Sequence, residues 1–105
     1  MRFDQHQKND RIKLWDVYNE TGFDGSTFTY KGHKDHVYSV RWQPGSLTNF
    51  ASASKDSTIK LWDSRTNITS LTINSNFADN YFTSLSWSNK NEHLLAAGFF
   101  FFSDF

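Results

Sequence analysis

The chain is predicted to be all-β, with no helix anywhere. It reads as one complete four-stranded antiparallel unit flanked by two partial units. Three observations predict this. First, Arg11-Ile12-Lys13-Leu14-Trp15-Asp16 returns 47 residues later as Thr58-Ile59-Lys60-Leu61-Trp62-Asp63, identical at five of six positions. Second, Val37-Tyr38-Ser39-Val40-Arg41-Trp42 returns as Phe82-Thr83-Ser84-Leu85-Ser86-Trp87, offset by 45, and Phe50-Ala51-Ser52-Ala53-Ser54 is answered by 94–98, offset by 44. Interleaved elements on one period are the mark of a repeat array. Third, Ser, Thr and Asn supply 31 of the 105 residues, and Phe, Trp and Tyr supply 18%, a strand-and-turn composition.

Each repeated element alternates apolar and polar residues over four to six positions, as a strand with one buried face does. Residues 11–16 and 26–31 form the end of a preceding unit, joined by the long Val17–Gly25 loop. The complete unit holds strands at 37–42, 50–54, 58–63 and 68–73. Its first turn is Gln43-Pro44-Gly45-Ser46, where Pro presets φ and Gly accepts a positive one. Lys55-Asp56-Ser57 makes the next connection, and Ser64–Asn67 leads into an edge-like last strand with apolar residues at 68, 71 and 73. Strands at 82–87 and 94–98 begin a following unit. The expected division is a polar segment 1–10, the end of one unit 11–31, a complete unit 32–73, the start of another 74–98, and a Phe-rich tail 99–105 foreign to the repeat.

Eleven basic residues balance eleven acidic ones. With no basic patch or acidic tail, the charge supports neither direct nucleic-acid binding nor attachment to a charged membrane. Cysteine is absent, which excludes disulfides, Cys-based zinc sites and thiol chemistry. The run Ala96–Phe102 is too short to cross a bilayer, and Met1–Gln7 has no signal-peptide core, so an intracellular site is expected.

These residues resemble the WD-repeat family of β-propellers. Gly32-His33 follows an outer strand, Asp56 sits in the turn between the second and third strands of the complete unit, and the third strand ends in Trp62-Asp63. The resemblance implies a propeller. At about 45 residues per blade the chain holds about 2.3 repeats, whereas a ring closes on about four to eight blades. A propeller fragment with an open ring is therefore expected, one complete blade between two partial ones. The following blade lacks Gly-His, and its tail departs from the repeat.

A structural network is expected among His33, Asp56, Trp62 and either Ser52 or Ser54, which share a strand face: a loop imidazole bonds a turn carboxylate while a hydroxyl and the indole N–H close the chain. The same residue types could be read as a hydrolytic triad, but no Gly-x-Ser-x-Gly elbow accompanies them. His33, Asp35 and His36 form a short cluster whose spacing suits a helix better than a loop, so no metal is expected. Trp15, Trp42, Trp62 and Trp87 each end a strand and are expected in the core. The sequons Asn19-Glu20-Thr21 and Asn67-Ile68-Thr69 are read as coincidental.

No catalytic residue and no cofactor are expected. Residues 31–98, a Gly-His blade followed by one without Gly-His whose first strand ends Leu85-Ser86-Trp87-Ser88 and whose second reads Leu95-Ala96-Ala97-Gly98, are similar to a WD-repeat subunit of the nuclear THO complex. This resemblance implies a nuclear scaffold in mRNA export that contacts other protein subunits and reaches RNA only indirectly. Trp62-Asp63-Ser64-Arg65 also resembles the motif by which WD-repeat proteins dock on the adaptor of cullin-4 ubiquitin ligases, with Arg65 as a partner contact. Part of a propeller enzyme is the reading from a different class.

Overall fold

The computed structural model describes residues 10–15, 26–75 and 80–101. They form eight strands and no helix: β1 Arg11–Trp15, β2 Ser26–Lys31, β3 Val37–Trp42, β4 Asn49–Ser54, β5 Thr58–Asp63, β6 Thr69–Asn74, β7 Asn80–Trp87 and β8 Leu95–Phe101. All pairings are antiparallel. β3-β4-β5-β6 make the complete sheet, with the two-stranded sheets β1-β2 and β7-β8 on either side, and the three do not close a ring. The Val17–Gly25 loop and the Asn19 sequon lie outside the described residues.

The repeat is visible in the ladders themselves. β1-β2 and β5-β6 share one register, Ile12 opposite Tyr30 and Ile59 opposite Ile73, Leu14 opposite Phe28 and Leu61 opposite Leu71. Both break at the same place, before Trp15 and before Trp62. β3-β4 and β7-β8 likewise share a bulge, after Val37 and after Phe82. An irregularity that recurs at equivalent positions belongs to the fold rather than to chance.

This second comparison corrects the alignment of the third element. Phe50 pairs with Trp42 and Leu95 with Trp87, so β8 follows β4 at an offset of 45, not 44. Ser52 then corresponds to Ala97, and Ser54 to Phe99. The doublet Leu94-Leu95 offers two apolar residues to set against Phe50, and only the ladder decides between them. β8 also runs beyond the expected 98, with Phe99–Phe101 paired to β7.

Alternation gives the central sheet two apolar faces. Phe50 and Trp62 pack with Ile12 and Tyr30 of the first sheet, joined by Leu14, Val37 and Val40. Ala51, Ala53 and Ile59 pack with Phe82 and Leu85 of the third, joined by Leu61, Trp87, Leu95 and Ala97. The Tyr30 hydroxyl crosses the first junction to donate to the Ser64 carbonyl at 2.7 Å. At the second, the Trp87 indole donates to the Arg41 carbonyl at 3.2 Å and the Gln43 amide to the Glu92 carbonyl at 2.6 Å.

The expectation that all four tryptophans lie in the core needs correction. Trp62 is 1% exposed, but Trp15 is 53% and Trp42 49% exposed, and Trp87 is half-buried. Trp62 has a strand on both sides and a sheet against its face, whereas β1 pairs only with β2 among the described residues.

Candidate functional site

The loop 32–36 leaves β2 and passes over the turn 55–57 between β4 and β5. Gly32 permits this path, since a Cβ there would lie 2.9 Å from the Trp62 ring. Ser57 takes φ 70°, a left-handed conformation that normally favours Gly. That conformation closes the tight turn that holds Asp56, with the Ser57 amide donating to the Ser54 carbonyl at 3.3 Å.

His33, Asp56, Ser52 and Trp62 come together in one chain of hydrogen bonds. The Trp62 indole donates to Ser52 Oγ at 2.8 Å, Ser52 Oγ lies 2.6 Å from His33 Nε2, and His33 Nδ1 lies 2.9 Å from Asp56 Oδ2. The partners fix the proton positions. A carboxylate can only accept, so Nδ1 carries the hydrogen, Nε2 accepts from the Ser52 hydroxyl, and the serine oxygen is left to accept from the indole. Asp56 further accepts from the Lys34 amide at 2.9 Å and from the Thr58 amide at 3.0 Å and hydroxyl.

Ser54 is close by but serves different groups. Its hydroxyl donates to the His36 carbonyl at 2.8 Å and accepts from the Asp56 amide at 3.1 Å. Of the two candidate hydroxyls, Ser52 therefore joins the imidazole, and Ser54 fastens the loop to the turn. Thr58 was not anticipated. Its position two residues after a turn Asp is the signal that could have found it, because Asp side chains commonly bond the backbone two residues on.

Burial shapes the electrostatics. His33 is 5% exposed, and desolvation lowers its pKa below the ordinary imidazole value even though the bond to Asp56 opposes the shift. Burial pushes the Asp56 carboxyl up, but its hydrogen bonds from Thr58, the Lys34 amide and His33 outweigh that and hold it below the usual carboxylate range. A neutral imidazole next to an ionised carboxylate is the state this chain of donors requires.

Arg65 stands apart on the rim with its side chain 72% exposed. Its guanidinium grips Asp63 through Nε at 2.9 Å and through a second, shorter contact, and its amide donates to the same carboxylate at 3.0 Å. These hydrogen bonds hold the Asp63 carboxyl at about 2. No group of three or more metal-ligating side chains occurs among the described residues. Their surroundings also turn His33 and Asp35 away from each other: His33 faces Ser52 and Asp56, while Asp35 Oδ1 accepts from the His36 amide.

Comparison with known proteins agrees with this geometry. Residues 25–63 match the family described as WD domain, G-beta repeat. A ribosome biogenesis protein WDR12 homolog of Dictyostelium discoideum is 34% identical over 85 residues, covering 79% of this chain. A protein transport protein SEC13 of Phaeosphaeria nodorum is 45% identical over 56 residues, covering 51% of this chain. The chain spans 18% of the length of each of these relatives. Among solved structures, a chain of the Mitotic Checkpoint Complex superposes with a TM-score of 0.74 at 25% identity, over 87% of this chain and 26% of that one. Residues 25–63 thus match a WD repeat, and the described sheets have the architecture of successive blades of an unclosed β-propeller.

Proposed function

We propose that the chain is a non-catalytic, intracellular WD-repeat scaffold that presents its rim to other proteins. The observation that carries this reading is the state of its one imidazole–hydroxyl–carboxylate constellation among the described residues. Ser52 is fully buried, and its oxygen already accepts from the Trp62 indole. A hydroxyl held this way presents no open nucleophile to a substrate. The network serves instead to pin the 32–36 loop and the 55–57 turn to the blade, so that the rim keeps a fixed shape.

Arg65 supports a second, narrower reading. The guanidinium is held in one orientation by Asp63 and displayed on the surface, a preorganised anchor of the kind that dominates binding where a partner desolvates it. Docking on a cullin-4 ligase adaptor would use Asp63, Ser64 and Arg65, since Trp62 is committed to the core. Membership of the THO complex, with RNA reached only through partner subunits, is the other narrow version. The relatives described above carry ribosome-biogenesis and protein-transport names, so they give no support to the mRNA-export assignment.

Affinity purification from cells tests both levels. Stable capture of protein partners is expected, and failure to retain any would overturn the scaffold reading. Recovery of the ligase adaptor, lost on Arg65→Ala, would establish the docking site. Recovery of THO subunits would establish the export assignment, and recovery of ribosome-biogenesis or protein-transport partners would replace it.

A further inference from the structure

The two ends of the complete blade carry different chemistry. At one end the connections 32–36 and 55–57 hold only Gly, His, Lys, Asp and Ser. The four strands alternate in direction, so the turns 43–48 and 64–68 lie together at the other end. These turns display Leu47 at 95% and Ile68 at 75% exposure, and Arg65 shares a turn with Ile68. Scattered apolar side chains are ordinary on a folded surface, so exposure alone assigns nothing. What sets this pair apart is how firmly it is held and what charge accompanies it.

Leu47 sits on a tightly bonded turn. The Ser46 amide donates to the Gln43 carbonyl at 3.1 Å, and the Gln43 amide donates to the Asn49 carbonyl at 2.9 Å. Ser46 Oγ accepts from the Thr48 and Asn49 amides at 3.2 and 3.0 Å. The Ser64 amide then donates to the Thr48 carbonyl at 2.7 Å, which fastens this turn to the one bearing Arg65 and Ile68. That second turn is closed in its own right, with the Thr66 amide donating to the Asp63 carbonyl at 3.0 Å. Leu47 stays exposed although a sheet packs on each face of its blade, so the stacking of blades is not what covers it.

Charge identifies the partner. Residues 41–49 and 63–68 contain two cations, Arg41 and Arg65, and one carboxylate, Asp63. Arg65 grips that carboxylate through Nε and Nη2, which leaves Nη1 without an acceptor among the described residues. The Arg41 side chain is exposed as well. This end of the blade therefore sets spare cationic donors beside apolar side chains and has no spare carboxylate of its own. We propose that it docks an acidic, apolar segment of a partner protein, whose Asp or Glu meets Arg65 and whose large apolar side chains cover Leu47 and Ile68. The inference rests on the scaffold reading above and names the surface and the partner chemistry of that scaffold. Turns already fixed in shape lose little freedom on binding, and a clamped guanidinium carries binding energy once a partner desolvates it.

Photocrosslinking in cells tests this on the protein as it is expressed. Leu47→benzoylphenylalanine and Ile68→benzoylphenylalanine should each capture a partner segment in which Asp or Glu lies close to Leu, Ile or Phe. Lys55→benzoylphenylalanine, at the opposite end, should not capture that segment. Affinity purification then measures the contribution of each side chain. Leu47→Asp and Arg65→Glu should each reduce recovery of the crosslinked partner about tenfold or more, while Leu47→Met retains it and Lys55→Ala leaves it unchanged. Leu47→Asp alters an almost fully exposed side chain, so its melting temperature should not move, and it keeps the test open should Arg65→Glu disturb the turn. Crosslinks to a basic segment, to nucleic acid or to a second copy of this chain would overturn the proposal and leave the scaffold reading standing. So would retained partners with no crosslink at Leu47 or Ile68, or with recovery indifferent to both charged substitutions. Failure of the wild type to retain any partner would overturn both.

Discussion

The hexamers Arg11–Asp16 and Thr58–Asp63 differ at one residue, and Arg11–Trp15 and Thr58–Trp62 enter equivalent ladders that break register at the same tryptophan. One indole is nevertheless fully buried, and the other is half in solvent. Trp62 sits between β4 and β6, stacks on Phe50 at 6.1 Å, meets Tyr30 of the neighbouring sheet and donates to Ser52. Trp15 has β2 beside it and Lys13 over its ring at 6.0 Å. Backbone geometry in a repeat array is thus set locally, whereas burial is set by the next unit along.

Trp62→Ala breaks this comparison most severely. It removes the largest fully buried side chain and should cost about 3–5 kcal/mol, against under about 1 kcal/mol for Trp15→Ala. Urea denaturation measures both, and equal losses would mean that the two positions are energetically alike.

Ser52→Ala comes next. It leaves the indole N–H and the His33 acceptor buried and unpartnered, at about 2–4 kcal/mol for the two together. The effect should be read as a fall in the denaturation midpoint with an unchanged slope.

Acidification should act in the same direction. The unfolded chain binds a proton on His33 near the ordinary value of about 6.5, while burial delays that uptake in the folded chain. Stability present above that value is therefore lost progressively as pH falls through it. Asp56, held ionised in the fold, adds a further loss as pH falls below the ordinary Asp range. Melting temperature measured from pH 7.5 to 5 should decline, and His33→Gln should flatten the decline while lowering the starting point.

Ser57→Gly gives the smallest effect and the opposite sign. Relief of the left-handed backbone at φ 70° should add up to about 1 kcal/mol, visible as a small rise in melting temperature.

Strand positions were legible because their period-two patterns and turn residues are local properties. The pairing of His33 with Asp56 was legible through the family motif alone, since 23 residues separate them. The choice between Ser52 and Ser54 was not, because both lie on one strand face and only the third dimension says which meets the imidazole. Nor could the exposures of Trp15 and Trp42 be read, as each depends on which sheet lies opposite. The Tyr30–Ser64 bond was missed, although a Tyr in an apolar strand position signals a hydroxyl in need of an acceptor.

The two equivalent hairpins differ in what joins their strands. Ten residues separate Trp15 from Ser26 and six separate Trp62 from Thr69, yet the ladders beyond are identical in register. Chain entropy prices the longer span at only about 0.5 kcal/mol more. This corner of the architecture is therefore a natural grafting socket: foreign peptide, an epitope or a fluorophore tag could be spliced between Thr66 and Asn67 without disturbing how the sheet is laced.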